Sequence, residues 1–334
     1  MNNSIFENRL DLLRSKFARL GVDTIWIIQP ENRRYLSGFK AADGQFDESS
    51  GCLFITLDQA LLVTDSRYTI QAQQDVVGFD QKAKEKASQH SPSVELIAVS
   101  NLVEEIRMIK GPEEVDMLSR SAQLMGNVLA RVISELTPGQ VEKDIAWKIE
   151  ALIREQGADG ASFPPIVASG PNGALPHAVP TERRIGEGEP IILDVGAKLN
   201  GYCSDMTRTV FLGNPPSDFK EIYRVVRKAQ LLALQSVRPG MKTNEADSIA
   251  RDVIKNAGFG DFFGHSLGHG IGMAPHERPS VGPLKPEVLK EGMVFTIEPG
   301  IYIPGNGGVR LEEMVVLEGD GARVLTTNKN FYSF

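Results

Sequence analysis

A pair of acids inside an apolar hairpin constrains this chain more than any other feature. Residues 191–197 read IILDVGA, an apolar run with one acid, Asp194, near its centre. Residues 202–211 read YCSDMTRTVF and carry a second acid, Asp205. Between them stands Asn200-Gly201, the strongest short-range signal for a two-residue hairpin turn. A turn there sets Leu199 opposite Tyr202, Asp194 opposite Thr207 and Gly196 opposite Asp205. Strand side chains alternate faces, so Asp194, Gly196, Asp205 and Thr207 share one face. The two carboxylates are then diagonal neighbours, with backbone positions about 7–8 Å apart. Like charges in an apolar sheet repel and are poorly solvated, and a shared cation relieves both costs. The competing reading makes Asp194 a solvated strand-end acid, and the apolar Ile191, Ile192 and Leu193 before it argue against that. Cys203 has the parity of Asp205; beside hard oxygen donors it is expected to be a buried, inert thiol rather than a ligand.

A second cluster lies in residues 264–277 (GHSLGHGIGMAPHE), which hold His265, His269 and His276. The surrounding glycines disfavour a helix. In an extended segment His265 and His269 stand about 13 Å apart, so one is expected to ligate an ion and the other to line the pocket. Residues 293–317 (MVFTIEPGIYIPGNGGVRLEEMVVL) read as another hairpin, with Glu298 ending its first strand. On the second strand Arg310, Glu312 and Met314 point one way, and Leu311, Glu313 and Val315 the other. One of Glu312 and Glu313 therefore faces the sheet interior and needs a metal or an arginine as partner.

The rest of the chain supplies a frame. Its 334 residues are too many for one ordinary core and imply two domains. A helix over 5–20 and strands at 24–28, 52–56, 60–64 and 94–99 describe a small α/β domain, with His90 as a surface loop residue. Lys110-Gly111-Pro112 marks a boundary, with a helix from Pro112 to about Leu136 and acids at its positive end. Pro138-Gly139 opens a helical stretch ending at Gly157, and Pro239-Gly240 opens one of equal length ending at Gly258. This weak repeat suggests a second domain of two related halves, with helices outside and a sheet inside.

Composition excludes other functions. Net charge is −7 and the pI about 5.4; without a basic stripe, nucleic acid is not an expected partner. The mixed run at 81–86 reads as a solvated helix face. No apolar stretch nears the roughly 20 residues that span a bilayer, and charges interrupt the N-terminal segment, so neither a membrane span nor a signal peptide is expected. Two lone cysteines, Cys52 and Cys203, fit a reducing compartment and a cytoplasmic location.

These motifs together resemble the prolidase, aminopeptidase P and methionine aminopeptidase group, the pita-bread metallopeptidases. Asp194 and Asp205 around an N-G-Y turn look like the family's paired ligands. GHGIG at 268–272 is similar to its ligand-histidine motif and points to His269; T-I-E-P-G at 296–300 points to Glu298, and G-V-R-L-E-E at 308–313 to Glu312. Pro176-His177, His265 and His276 also fall on motif positions. Y-L-S-G-F at 35–39, T-D-S-R-Y at 64–68 and I-K-G-P-E-E-V at 109–115 are similar to the prolidase and aminopeptidase P branch. Glu313 departs from the aspartate of many relatives, and the tail TTNKNFYSF lacks the usual family ending.

The resemblance implies an α/β (α+β) chain. A creatinase-like N-terminal domain covers 1–108, and a pita-bread catalytic domain, with pseudo-twofold helices around a curved antiparallel sheet, covers 109–334. It implies two divalent ions, Mn2+ first and Co2+, Fe2+ or Zn2+ as alternatives. Asp194 chelates one, His269 with Glu298 holds the other, and Asp205 and Glu312 bridge them. Such ions activate water and polarise the scissile carbonyl. Glu298 then shuttles the proton and His276 donates to the oxyanion. His265 and His177 position the substrate, and Arg310 steadies the carboxylates or a substrate terminus. The implied reaction is hydrolysis of an N-terminal Xaa-Pro bond, as a dipeptidase or an aminopeptidase, by a homodimer. The rivals are an enzyme of this fold with another N-terminal specificity, or a metal-free creatinase-like or binding protein. The intact ligand set argues against the last.

Overall fold

A computed structural model describes residues 3–41, 49–64, 67–76 and 101–326. The expected strand at 94–99, the run at 81–86, His90, Asp65, Ser66 and the tail beyond Thr326 lie outside the described residues. The chain divides into two compact units, Met1–Arg107 and Met108–Phe334. No helix among the described residues is long and apolar enough to cross a membrane.

In the first unit, α1 (Asn3–Arg14) and α2 (Phe17–Leu20) precede β1 (Thr24–Ile27), α3 (Pro30–Ser37), β2 (Cys52–Thr56), β3 (Ala60–Val63), α4 (Thr69–Asp75) and α5 (Leu102–Arg107). The expected helix over 5–20 is thus broken after Arg14. The strands form an antiparallel sheet in the order β1-β2-β3.

The second unit begins with α6 (Pro112–Ser134) and α7 (Glu142–Glu155). Pro112 opens α6 where its missing N–H costs nothing, and the Glu114 carboxylate accepts the Gly111 N–H at 3.2 Å. Then come β4 (Gly160–Ala161), β5 (Ile166–Ser169), β6 (Pro190–Val195), β7 (Ala197–Leu199), β8 (Tyr202–Cys203) and β9 (Met206–Phe211). A second helix pair follows, α8 (Ser217–Ser236) and α9 (Thr243–Asn256). The remaining strands are β10 (Gly268–Gly270), β11 (Glu277–Val281), β12 (Val294–Ile297), β13 (Gly300–Ile303), β14 (Gly307–Arg310), β15 (Glu313–Glu318) and β16 (Gly321–Val324). One sheet runs β5-β6-β9 and another β11-β10-β12-β15-β16; β4-β7-β8 and β13-β14 are extensions.

The internal repeat extends well beyond spacing. Gly139 N–H bonds to Ile185 O at 2.8 Å, and Gly240 N–H to Leu289 O at 2.8 Å. Glu142 N–H bonds to Arg183 O at 3.0 Å, and Thr243 N–H to Glu287 O at 2.9 Å. Gly157 and Gly258 end the helical stretches with φ of 86° and 88°, a left-handed exit that glycine takes at little cost. Each half then packs its helix pair on its own strands. Val128 and Leu129 of α6 and Ile149 and Ile153 of α7 meet Ile191, Leu193 and Val195 of β6. Val226 and Ala229 of α8 and Ala250 and Ile254 of α9 meet Phe295 and Ile297 of β12. Each fully buried Ile, Leu or Phe contributes about 1.5–3 kcal/mol.

That packing fixes which strand face meets the helices. With Ile191, Leu193 and Val195 turned to the helices, Asp194 must turn to the other side. With Phe295 and Ile297 in the second core, Thr296 and Glu298 turn away from it likewise. The two segments end alike, in Asp194-Val195-Gly196 and Glu298-Pro299-Gly300.

The hairpin register is as expected over most of its length. Leu199 pairs with Tyr202 and Asp194 with Thr207, while Asn200 and Gly201 take φ of 51° and 83°. The expected Gly196–Asp205 ladder pair is absent, because the strands break there and change sheets. A Cβ on Gly196 would lie 2.1 Å from both Ser162 Oγ and Ser204 O. Ser204 Oγ instead accepts the Ala197 N–H at 3.0 Å. The second hairpin breaks in the same way, between β12/β15 at its base and β13/β14 at its tip, leaving Glu298 and Glu312 in the breaks.

Candidate metal centre

All nine candidate side chains line one cavity of about 450 Å³: His177, Asp194, Asp205, His265, His269, His276, Glu298, Arg310 and Glu312. His177 and His276 are exposed, whereas Asp205, Arg310 and Glu312 are buried. The strand breaks explain the convergence. Asp205 and Glu312 sit where neither ladder claims them, and their carboxylates reach inward with the imidazole of His269. Ligand atoms of Asp205, His269 and Glu312 all lie within 4.8 Å of one another, a group that could hold a metal ion. His269 Nε2 is 3.6 Å from Asp205 Oδ2 and 3.3 Å from Glu298 Oε1.

The imidazole is oriented for ligation. His269 Nδ1 lies 3.1 Å from Gly270 O, an acceptor only, so Nδ1 carries the proton and the Nε2 lone pair faces the acids. Burial, the main cause, lowers the His269 pKa and keeps the ring neutral.

Hydroxyls and one guanidinium orient the acids. Thr207 Oγ1 donates to Glu312 Oε2 at 2.7 Å, and Thr296 Oγ1 donates to Glu298 Oε1 at 2.9 Å. Arg310 Nη2 donates to Asp194 Oδ2 at 2.6 Å and Nη1 donates to Pro176 O at 3.0 Å. Arg310 Nε donates to Thr207 Oγ1 at 3.1 Å, and Nη1 also donates to the Tyr302 hydroxyl at 2.7 Å. Among the four acids of the cavity, these bonds tie Arg310 to the Asp194 carboxylate.

Four carboxylates against one guanidinium leave the cavity strongly acidic. Burial first, then the charges of Glu312, Asp194 and Glu298, hold the Asp205 pKa well above the usual carboxylate range. Burial, then Glu298 and Asp194, does the same to Glu312. Burial pushes Glu298 up to about 7 against the opposing charge of Arg310. Asp194 Oδ1 and Glu312 Oε1 are buried without a hydrogen-bond partner among the described residues. Crowded acids with unused lone pairs beside a neutral imidazole fit a divalent cation with mainly oxygen ligands.

Glu313 gives a different result from the either-or expected of the two neighbouring glutamates, since both are buried. Glu312 faces the cavity, whereas Glu313 points away and pairs with Arg208 at 3.1 Å and with the Thr326 hydroxyl. Arg208 also donates to the carbonyls of Thr207 and Glu312, and Thr207 O accepts the Glu312 N–H at 3.1 Å as well. Cys203 is buried with Sγ 3.5 Å from Met273 O, and it does not line the cavity.

Sequence reading missed Tyr302 and Thr296. Tyr302 has the hairpin parity of Arg310, since Gly300 pairs with Arg310 and Tyr302 with Gly308. Its hydroxyl lies 2.9 Å from His265 Nε2, and burial pushes its pKa up to about 12. Thr296 stands two residues before Glu298, on the same face. Parity alone could have found both.

Comparison with known proteins agrees with this geometry. Residues 116–318 match the model of metallopeptidase family M24, and residues 9–83 match that of the creatinase/prolidase N-terminal domain. The chain belongs to metallopeptidase family M24. This M24 peptidase is 39% identical to the uncharacterized peptidase YqhT of Bacillus subtilis, over 95% of this chain and 97% of the relative. It is 35% identical to a Xaa-Pro dipeptidase of Pyrococcus furiosus, over 96% of this chain and 98% of that protein. A solved Xaa-Pro dipeptidase from Bacillus anthracis superposes with a TM-score of 0.90 at 35% identity, covering 97% of this M24 peptidase and 98% of that chain.

Proposed function

We propose that this M24 peptidase hydrolyses the bond between an N-terminal residue and proline, using two divalent ions held by Asp194, Asp205, His269, Glu298 and Glu312. The observation that carries this reading is the meeting of Asp205, His269 and Glu312 in one buried cluster, with Asp194 and Glu298 lining the same cavity. The Xaa-Pro specificity is supported by the names of the relatives.

When bound, the ions supply an activated water and a polarised scissile carbonyl. The chain's own residues do the rest. Asp194, Asp205, His269, Glu298 and Glu312 would hold the ions, with Asp205 and Glu312 as the ligands they would share, Asp194 serving one ion and His269 with Glu298 the other. Glu298 carries a proton from the nucleophile to the leaving amine. His276, with its ring 4.0 Å from that of His269, donates to the tetrahedral oxyanion. His177 and His265 hold the substrate backbone and the leaving residue. Arg310 holds Asp194, so it shapes the centre more than it binds a substrate terminus.

The ligand set favours Mn2+, with Co2+, Fe2+ and Zn2+ as alternatives. We assign 1–108 as the creatinase-like domain and 109–334 as the catalytic domain of a cytoplasmic homodimer. The test is proline release from Ala-Pro and cleavage of Ala-Pro-Ala, against Ala-Ala, with Mn2+ or Co2+ added. Cleavage of Ala-Pro alone makes it a dipeptidase. Failure of the metal-loaded protein to cleave either proline substrate refutes the proposal.

A further inference from the structure

We infer that Glu142 and Asp247 are matched positioning residues, each fixing the loop that carries one of the two histidines proposed to hold substrate, His177 and His265. The inference rests on the function proposed above for those two side chains. Glu142 is the first residue of α7 and is fully buried. Its carboxylate accepts five hydrogen bonds. Oε1 accepts Ser169 N–H and Oγ–H, each at 2.7 Å. Oε2 accepts Asn172 Nδ2 at 2.9 Å, Thr181 N–H at 3.0 Å and Thr181 Oγ1 at 2.7 Å. Its partners bracket residues 169–181, the segment that presents Pro176 and His177 to the cavity.

Asp247, also buried, lies on α9, the repeat partner of α7, one turn further along the helix. Asp247 Oδ1 accepts Leu267 N–H at 2.9 Å, and both carboxylate oxygens accept from Arg251, at 2.6 and 2.8 Å. Arg251 in turn donates to Phe263 O at 2.9 Å and to His265 O at 2.7 Å. Its partners bracket residues 263–267, which present His265.

Neither buried acid faces the cavity, and a buried carboxylate is costly unless it is well bonded. Saturation by loop donors gives each acid a role that apolar packing cannot fill. It fixes a histidine without touching substrate or metal, and a misplacement of about 1 Å in such a group can cost on the order of 100-fold in rate.

The test uses Glu142→Gln and Asp247→Asn, which set a new N–H against existing donors while keeping volume. Kinetics on Ala-Pro, Mn2+ affinity by calorimetry and ¹⁵N relaxation of the imidazoles are measured on the full chain. We expect E142Q to raise KM by about tenfold with Mn2+ affinity within about twofold, and to mobilise the His177 ring but not that of His276. D247N does the same for His265. Unchanged KM and ring motion in the folded variants overturns the inference, as does a loss of metal affinity that parallels the loss of activity. If either variant fails to fold, Thr181→Val, on the exposed loop, and Arg251→Lys, which keeps the charge but loses the fork, decide by the same readouts. If the wild type cleaves no Xaa-Pro substrate, the proposed function fails, and ring motion alone decides this inference.

Discussion

The Tyr302 hydroxyl donates to His265 Nε2 across 2.9 Å. His265 Nδ1 faces Ser266 O at 2.8 Å, so Nδ1 carries the proton and Nε2 accepts. Burial, with Arg310 adding to it, lowers the His265 pKa to about 4 and keeps the ring neutral. Tyr302 thus links the cation Arg310 to a neutral imidazole. Its ring fits because Gly300 and Gly308 lack side chains; a Cβ on either would come within 2.6 Å of its Oη or 2.8 Å of its Cδ1. Tyr302→Phe removes both hydrogen bonds of the hydroxyl, to Arg310 and to His265, and is expected to lower kcat/KM by about tenfold. Metal content, read by mass spectrometry, should not change.

Asp205→Asn tests the ligand set. Asp205 lies in the cluster with His269 and Glu312, and an amide offers neither the charge nor the second anionic oxygen. Turnover on Ala-Pro should disappear and bound metal per chain should fall. Full activity would remove Asp205 from the site.

Stability of the chelator-treated protein should fall as pH rises from about 6.5 to 8. Asp205, Glu312 and Glu298 have folded pKa values above their unfolded ones. Over that window the native state binds more protons than the unfolded chain, so the slope of unfolding free energy with pH is negative. His265, lowered to about 4, contributes the opposite slope, but only below its unfolded pKa of about 6.5. Saturating Mn2+ should flatten the decline, as read by thermal melts with and without chelator. A melting temperature of the metal-free protein that rises across this window contradicts the raised pKa values of these crowded, buried acids.

Gly196→Ala should destabilise the protein by about 3 kcal/mol, measured by urea unfolding. The new methyl would stand 2.1 Å from Ser204 O, a backbone atom that cannot swing aside. Because Gly196 separates β6 from β7, metal affinity should fall as well. Unchanged affinity would mean that Asp194 and Asp205 do not depend on that strand break.

Much of the site was legible because its signals are local. Asn200-Gly201 set the hairpin and most of its register, and the period-two alternation of strand side chains put Asp194 and Asp205 on one face. The helix start at Pro112 followed from Pro and acid placement, whereas the stretches expected to open at Pro138-Gly139 and Pro239-Gly240 become helical only at Glu142 and Thr243. Tyr302 and Thr296 went unread although strand parity places them on the faces of Arg310 and Glu298, because parity names a face and not the partner that gives a hydroxyl its role.

By itself, then, the sequence determined most of the elements, the repeat and the acid pair Asp194 and Asp205, since turn chemistry and strand parity act over a few residues; His269, Glu298 and Glu312 were singled out only by the family resemblance. Tertiary structure decided what no window contains. It broke both hairpins at Gly196 and near Glu298, and turned Asp205 and Glu312 out of their ladders onto His269. It also buried Glu313 against Arg208 and gave Glu142 and Asp247 their loops to hold. Those outcomes depend on atoms 20 to more than 100 residues apart meeting in a space that only the packed helices and sheets define.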